Sequence, residues 1–354
     1  MTTPTVPDER FVLTSSRHFA EWLAQSGISL AFSTYQAGKL FLIGVRQDGA
    51  LSIFERTFPR AMGIGVSEDG RTLVLATQYQ VHRFDNVMRA GTASNDGHDA
   101  LYAPHAAWVT GDVDLHDVGF GSNGRPLFVN TLFSCIATVS DSHSFKPIWK
   151  PSFISRLAPE DRCHLNGMAL EGGEPRYVTA VSRSDVADGW RDRRSDGGIV
   201  IDVSTGEVVA DGLSMPHSPR LHDGRLWLLN SGAGELGFLD DRTRRFQPVA
   251  FCPGYARGLA FIGNHAVVGL SLARENRTFA GLPLDQALQA RDSDPRCGLA
   301  VFDLTSGDMT GWVRIEGVVR ELYDVAVVPD VRRPALIGFK SDEVRFTISI
   351  DEPD

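Results

Sequence analysis

The chemistry this sequence offers centres on three histidines. His116, His164 and His217 lie in LHDVGFGSNG, CHLNGMAL and MPHSPRLHDG, each at the entrance of a short apolar run that ends in turn residues. One histidine on an apolar strand is ordinarily a hydrogen-bonded core residue. Three at corresponding entrances, with Asp114, Glu321 and Tyr323 at others, make a set of imidazoles and carboxylates suited to a divalent ion with open coordination positions. In that reading His116, His164 and His217 ligate Fe, Mn or Zn, and Asp114, Glu321 and Tyr323 are auxiliary ligands or catalytic groups. Arg60, Tyr255 and Arg257 orient the substrate. Nitrogens that share one ion at bonds of about 2.1 Å must come within about 4 Å of one another. A metal-free His/Asp acid–base site and a merely structural filling of a channel stay open as alternatives.

A second clue is arginine on two long links, SRSDVADGWRDRRSDGG (182–198) and SLARENRTFAGLPLDQALQARDSDPRCG (271–298). In an acidic chain, Arg183 and Arg274 on such loops point to an anionic ligand, because guanidinium pairs bidentately with carboxylate or phosphate. The competing reading is that these arginines pair with their own aspartate neighbours. His82, His98, His222 and His265 sit in strands or polar turns and read as solvated surface. No GxGxxG, P-loop, GxSxG or HExxH occurs, which removes the usual support for dinucleotide, Walker-type, esterase and zincin chemistry.

These residues must be positioned by strands. Helical periodicity is confined to 15–26, with a serine cap expected, and to 283–291. Elsewhere short apolar runs alternate with Gly-containing turns such as Ser122-Asn123-Gly124 and His222-Asp223-Gly224. One unit of strand, Gly turn, strand, tight link and third strand recurs at 60–85, 115–140, 165–182, 218–240, 256–271 and 323–339. Its starts fall about 40 to 65 residues apart, the spacing of four-stranded propeller blades. Segment 30–58 resembles the later strands of a blade without its first, and the last repeat lacks chain for a full blade. The two ends therefore complete one blade together, which leaves no open sheet edge. The expectation is an all-β fold, a single propeller of six four-stranded blades over 28–350, seven being the alternative. Residues 1–27 form an N-terminal extension with a short helix.

Aligned by repeat, Gly63, Asp117, Gly167, Arg220, Gly258 and Asp324 fall in one column at the starts of the inner strands. Arg60, Asp114, His164, His217, Tyr255 and Glu321 lie three residues earlier, at one mouth of the channel.

Composition sets outer limits. The chain of 354 residues is 42% hydrophobic and 22% charged, an ordinary globular balance, with a formal charge of -9. That charge argues against nucleic acid or an anionic membrane as partner, since both need a basic face. The start lacks a signal-peptide pattern and no apolar stretch reaches the roughly 18 residues of a membrane span, so the expected location is cytoplasmic. Four scattered cysteines, Cys135, Cys163, Cys252 and Cys297, read as free thiols.

Long phrases including FSTYQAGKLFLIG, LHDVGFGSNGRPLFVNTLFSCIATV, FKPIWKPSFISRLAPEDRCHLNGMAL and ELYDVAVVPDVRRP resemble a bacterial family of conserved hypothetical proteins of unknown function, over about residues 15–340. The resemblance implies a propeller-like architecture and carries over no catalytic residue. Other propellers, such as lactonases, polysaccharide lyases and carotenoid-cleaving oxygenases, hold a metal on the channel axis, a fold-level analogy. The functional expectation is a metal-dependent enzyme, by lyase, hydrolase or oxygenase chemistry, acting on a small anionic or peptide substrate. The alternative is a non-enzymatic interaction module that binds a peptide or partner protein.

Overall fold

The computed structural model describes residues 11–272 and 281–350. The middle strands of the blades are continuous apolar runs, because neighbouring blades cover them on both faces, and the outermost strands alternate. Lys39–Val45 is buried almost throughout, whereas the outer strand Met309–Gly317 alternates buried and exposed residues.

Six sheets result. Blade 1 is Ile64–Val66, Thr72–Ala76, Gln80–Asn86 and Ala100–Val109, and blade 2 is Leu115–Phe120, Pro126–Asn130, Cys135–Thr138 and Lys146–Trp149. Blade 3 is Leu165–Glu171, Glu174–Ala180, Gly198–Asp202 and Val208–Leu213, and blade 4 is Pro216–His222, Arg225–Asn230, Glu235–Leu239 and Phe246–Phe251. Blade 5 is Tyr255–Ile262, His265–Ser271, Gly298–Asp303 and Met309–Gly317. The six innermost strands touch in cyclic order, and Val325–Pro329 meets Ile64–Val66 to close the ring.

Blade 6 joins the two ends of the chain as expected. Val325–Pro329 is its inner strand and pairs antiparallel with Ile28–Thr34, Phe32 opposite Val325; Lys39–Val45 and Leu51–Thr57 follow. Both ends then continue onto neighbouring blades. Phe11–Ser15 adds a fifth strand outside blade 5, and Pro334–Leu336 adds a parallel one outside blade 1. Between them α1 (Phe19–Ser26) buries Phe19 and Leu23. Its N-cap is His18, with no side-chain cap bond where a serine cap was expected, and it ends on Gly27 in the left-handed region. The second helix, α2 (Pro283–Ala290), packs Leu284 and Leu288 against Trp190, Met215 and Tyr255. Among the described residues no helix is long and apolar enough to cross a membrane, and all four cysteines are free and buried.

Adjacent inner strands are locked by an alternation. Asp117, Ser218 and Asp324, in blades 2, 4 and 6, accept hydrogen bonds from the backbone N–H of Met168, Gly258 and Ile64 in the next blade (3.0, 3.0 and 2.8 Å). Glycines occupy the same level in blades 1, 3 and 5. At Gly258, with φ +78°, a Cβ would lie 2.4 Å from Val325 N, so the close approach of blade 6 requires glycine there.

In blades 2, 4, 5 and 6 a serine or threonine at the end of the second strand adds a further fastener. Ser33, Thr131, Ser231 and Ser271 donate to the carbonyls of Met62, Leu165, Ala256 and Leu322 at the entrance of the following blade.

The register of blade 4 differs from the expected column. Spacing aligns Arg220 with Asp117, whereas Ser218 stands at that level: it accepts from the backbone of the next blade as Asp117 does, and both strands shift their pairing by one residue there. His217 is therefore the counterpart of His116, one tier deeper than His164, and the blade 4 residue level with His164 is Met215. Backbone geometry agrees: Arg60, Asp114, His164 and Met215 all have φ between 45° and 53°.

Candidate functional site

At one mouth of the channel, here called upper, the chain enters each of blades 1 to 4 through a residue in the left-handed region, a strained conformation for non-glycine residues. This turns Asp114 and His164 inward. One tier below stand His116, Asn166, His217, Arg257 and Tyr323, which line a small void of about 10 Å³. Above it lies a cavity of about 150 Å³, walled by Asp114, His116, His164, Trp190, Arg257 and Tyr323 among others.

Hydrogen bonds fix which nitrogen of each imidazole is available. Thr131 Oγ1 spends its single proton on Leu165 O, so its 2.8 Å contact with His116 Nδ1 is an N–H donated by the ring. His164 Nδ1 donates to the Asp161 carboxylate at 2.9 Å, and its ring stacks on Trp190 at 4.1 Å. Trp190 Nε1–H donates to the same carboxylate at 2.8 Å. His217 Nδ1 donates to Met215 O at 2.8 Å. In all three rings Nε2 keeps the lone pair. That of His217 faces Asn166 Nδ2 and a guanidinium nitrogen of Arg257, each at 3.4 Å.

Ligand-type atoms of Asp114, His116 and His164 all lie within 4.8 Å of one another. His217 is outside this group: its ring is 6.5 Å from that of His116, against 4.8 Å between His116 and His164. An Asp/His cluster able to hold a metal is thus present, with a carboxylate where the sequence suggested a third imidazole. Asp161 supplies the carboxylate that commonly backs a ligating histidine.

Electrostatics follow from burial. Desolvation drives His116 down to about 4, outweighing the opposing pull of Asp114, and His217 is held well below the ordinary histidine range by burial and then by Arg257. Both rings are therefore neutral at pH 7. Burial works against the charged form of Asp161, yet the facing His164 and the donated hydrogen bonds hold its carboxyl below the usual value. Two carboxylates, Asp114 and Asp161, and two guanidinium groups, Arg191 and Arg257, line the cavity; Arg191 pairs with Asp188, and Arg257 faces Glu321 at 3.7 Å.

A buried ion cluster floors the site. Arg220 pairs bidentately with Asp117 at 2.8 and 3.1 Å and reaches Asp324 at 3.8 Å. Burial, only partly offset by Arg220, raises Asp324 to about 7.

The remaining residues singled out in the sequence divide. Arg257 is buried, 3.7 Å from Glu321 and over the Tyr323 ring. Tyr255 is buried beside Met215, and Arg60 sits at the rim, ion-paired with Asp112 at 3.3 Å. Arg183 is exposed and lies over the Phe153 ring at 5.8 Å, off the cavity wall. Arg274 lies outside the described residues. His82 corrects the expectation of a solvated surface: it is 4% exposed, and burial lowers it to about 4.

Spacing did not point to Asp161, Trp190, Thr131 or Asn166. Two had a signal. Asp161 precedes His164 by three residues, and Thr131 belongs to the Ser/Thr that closes the second strand in blades 2, 4, 5 and 6.

Comparison with known proteins agrees with this architecture. A family model described as a domain of unknown function (DUF4915) matches residues 17–337. A chain in the nidogen/laminin complex is similar with a TM-score of 0.53 at 10% identity, over 86% of this chain and 99% of that one. A protein of unknown function from Bacteroides caccae is similar with a TM-score of 0.50 at 10% identity, over 85% of this chain and 98% of that one. At such identities the likeness concerns the fold alone. No curated protein matches the sequence significantly.

Proposed function

This chain belongs to the DUF4915 family, and on that premise we propose that it is a metal-dependent enzyme whose divalent ion is held by Asp114, His116 and His164. The observation that carries this reading is the convergence of the three ligand atoms within 4.8 Å. Thr131 and Asp161 hold the two imidazoles at Nδ1, which leaves the lone pair of each on Nε2, while the nitrogen of His116 nearest the Asp114 carboxylate is Nδ1, at 3.6 Å. His217, its lone pair engaged by Arg257, is a neighbour of the ion and not a ligand.

The donor set of two imidazoles and one carboxylate suits Fe, Mn or Zn and leaves coordination positions for substrate. An ion there supplies Lewis acidity toward a carbonyl or activates water or dioxygen, which fits lyase, hydrolase or oxygenase chemistry.

Elemental analysis of untagged protein tests the reading. The expected content after reconstitution is about one equivalent of metal, lost in Asp114→Ala and His164→Ala and kept in His217→Ala. Less than about 0.2 equivalents, with no uptake on reconstitution, overturns it.

A second reading, a non-enzymatic interaction module, draws on the opposite mouth. There Val66, Phe120, Leu170, Leu221, Phe261 and Val327, one half-buried apolar residue from each blade, line a funnel of about 990 Å³. That reading expects His164→Ala to alter stability alone and a stoichiometric protein partner to co-purify.

A further inference from the structure

At the outer edge of blade 1, away from the channel, an aspartate, a histidine and a serine meet in one chain of hydrogen bonds. Asp85 stands on the third strand and His105 on the fourth, and Ser349 comes from the C-terminal segment. Asp85 Oδ2 lies 2.8 Å from His105 Nδ1, and His105 Nε2 lies 2.8 Å from Ser349 Oγ. Both distances fall in the range that joins a nucleophile to its base and the base to the group that orients it.

The partners fix the protons. Burial works against the charge of Asp85, yet the bonds donated by Arg83, Thr72 and His105 hold its carboxyl below the usual range. An ionised carboxylate only accepts, so in the neutral ring Nδ1 carries the proton and Nε2 the lone pair. The hydroxyl of Ser349 therefore donates to Nε2, the arrangement in which a serine is readied to lose its proton.

Local structure aims these groups outward. Arg83 pairs with Ala106 and Phe84 with Pro104, so His105 is the extra residue of a β-bulge, a device that re-aims a side chain and is frequent beside active sites. His105 and Ser349 are both exposed, and a substrate can reach them. Ile348 and Ile350, on either side of the serine, are 79% and 77% exposed. Apolar side chains left in water beside the hydroxyl offer a surface to an aliphatic acyl chain.

The same surroundings limit the leaving group. Arg83 meets the Asp85 carboxylate at 3.0 Å and shares its charge, so Asp85 orients the imidazole but gives little support to an imidazolium. Water screens charge at so open a place. Esters whose leaving group departs readily, aryl esters and thioesters, suit this site, and amides do not.

We propose that Ser349, His105 and Asp85 form an acyl-transfer site for activated esters of aliphatic acids, separate from the metal cluster. Ser349 Oγ bonds to the acyl carbon as its proton passes to His105 Nε2. The bond from that carbon to the leaving oxygen or sulfur breaks, and the leaving group takes the proton from Nε2. Water, giving a proton to the same nitrogen, then attacks the acyl carbon; the acid departs and the serine hydroxyl is restored with that proton. Asp85 is a positioning residue, acting through His105.

Hydrolysis of p-nitrophenyl butyrate by the full chain, stripped of metal with EDTA, tests this. The stripped protein is expected to release p-nitrophenol and to carry a butyryl group on Ser349 in a peptide mass map. Ser349→Ala and His105→Ala should each lose at least about tenfold in rate, and the first, at an exposed position, leaves the fold in place. Asp85→Asn should lower kcat about tenfold with KM unchanged, the mark of a group that holds the base without touching the ester. A rate that survives Ser349→Ala, a butyryl group only on other residues, or no hydrolysis above that of buffer overturns the proposal. None of these outcomes bears on the metal cluster, since the assay contains no metal.

Discussion

Asp161→Asn probes the metal centre through a residue that meets neither ion nor substrate. Its carboxylate accepts from His164 Nδ1 at 2.9 Å and from Trp190 Nε1 at 2.8 Å, both on Oδ2. An asparagine whose carbonyl oxygen takes the place of Oδ2 still accepts both bonds, but as a neutral acceptor, so the charge assistance is lost from each. The ring of His164 becomes a weaker base at Nε2 and is less firmly oriented. Loss of such a backing carboxylate lowers metal affinity typically by about 10- to 100-fold, or about 1.4 to 2.7 kcal/mol. The weaker bonds also lower folding stability, so affinity must be read at a temperature where circular dichroism shows both proteins folded. Competition against a chelator of known affinity gives the metal constant, and Trp190 fluorescence reports the weakened indole bond independently. If metal affinity stays within about twofold of wild type while the Trp190 signal changes, His164 is not a ligand and the reasoning fails.

Two further substitutions test the fold around the site. His82 is neutral in the folded state, with a pKa of about 4 against 6.5 unfolded, so unfolded chains bind more protons between those values. Stability is therefore lost as pH falls through that window, by about 3 kcal/mol from this residue. His82→Phe, set among Phe58, Phe84 and Phe339, should move the acid-unfolding midpoint to lower pH, and an unchanged midpoint contradicts the assignment. Gly258→Ala places a methyl 2.4 Å from Val325 N at φ +78° and should cost about 2 kcal/mol or more in urea unfolding; a loss below about 0.5 kcal/mol would show that blade 6 can retreat.

Much of the architecture was legible because its signals are local. Gly-bounded apolar runs marked the blades, and a headless first unit facing a truncated last one announced the closure that Val325–Pro329 and Ile28–Thr34 make. Asp114 and His164 stand three residues before Asp117 and Gly167, in strands whose pairing shifts by one residue at the same level. Blade 4 was misaligned by two residues because at that level it carries Ser218, where the other inner strands carry aspartate or glycine, and a serine gives no signal in the column. His82 read as surface because its burial comes from Phe339, more than two hundred residues later in the chain.

The sequence by itself determined the repeat, with six blades preferred to seven, the closure and the gathering of imidazoles, carboxylates and arginine at one mouth, since each follows from short-range pattern and repeat register. Only the tertiary structure decided which of those groups face one another. Arg257 from blade 5 takes the lone pair of His217 in blade 4, while Asp161 and Trp190, from two loops, fix His164 against Asp114 and His116. Distances of 3 to 5 Å across a channel are set by the packing of neighbouring blades, and a repeat pattern carries no record of that packing.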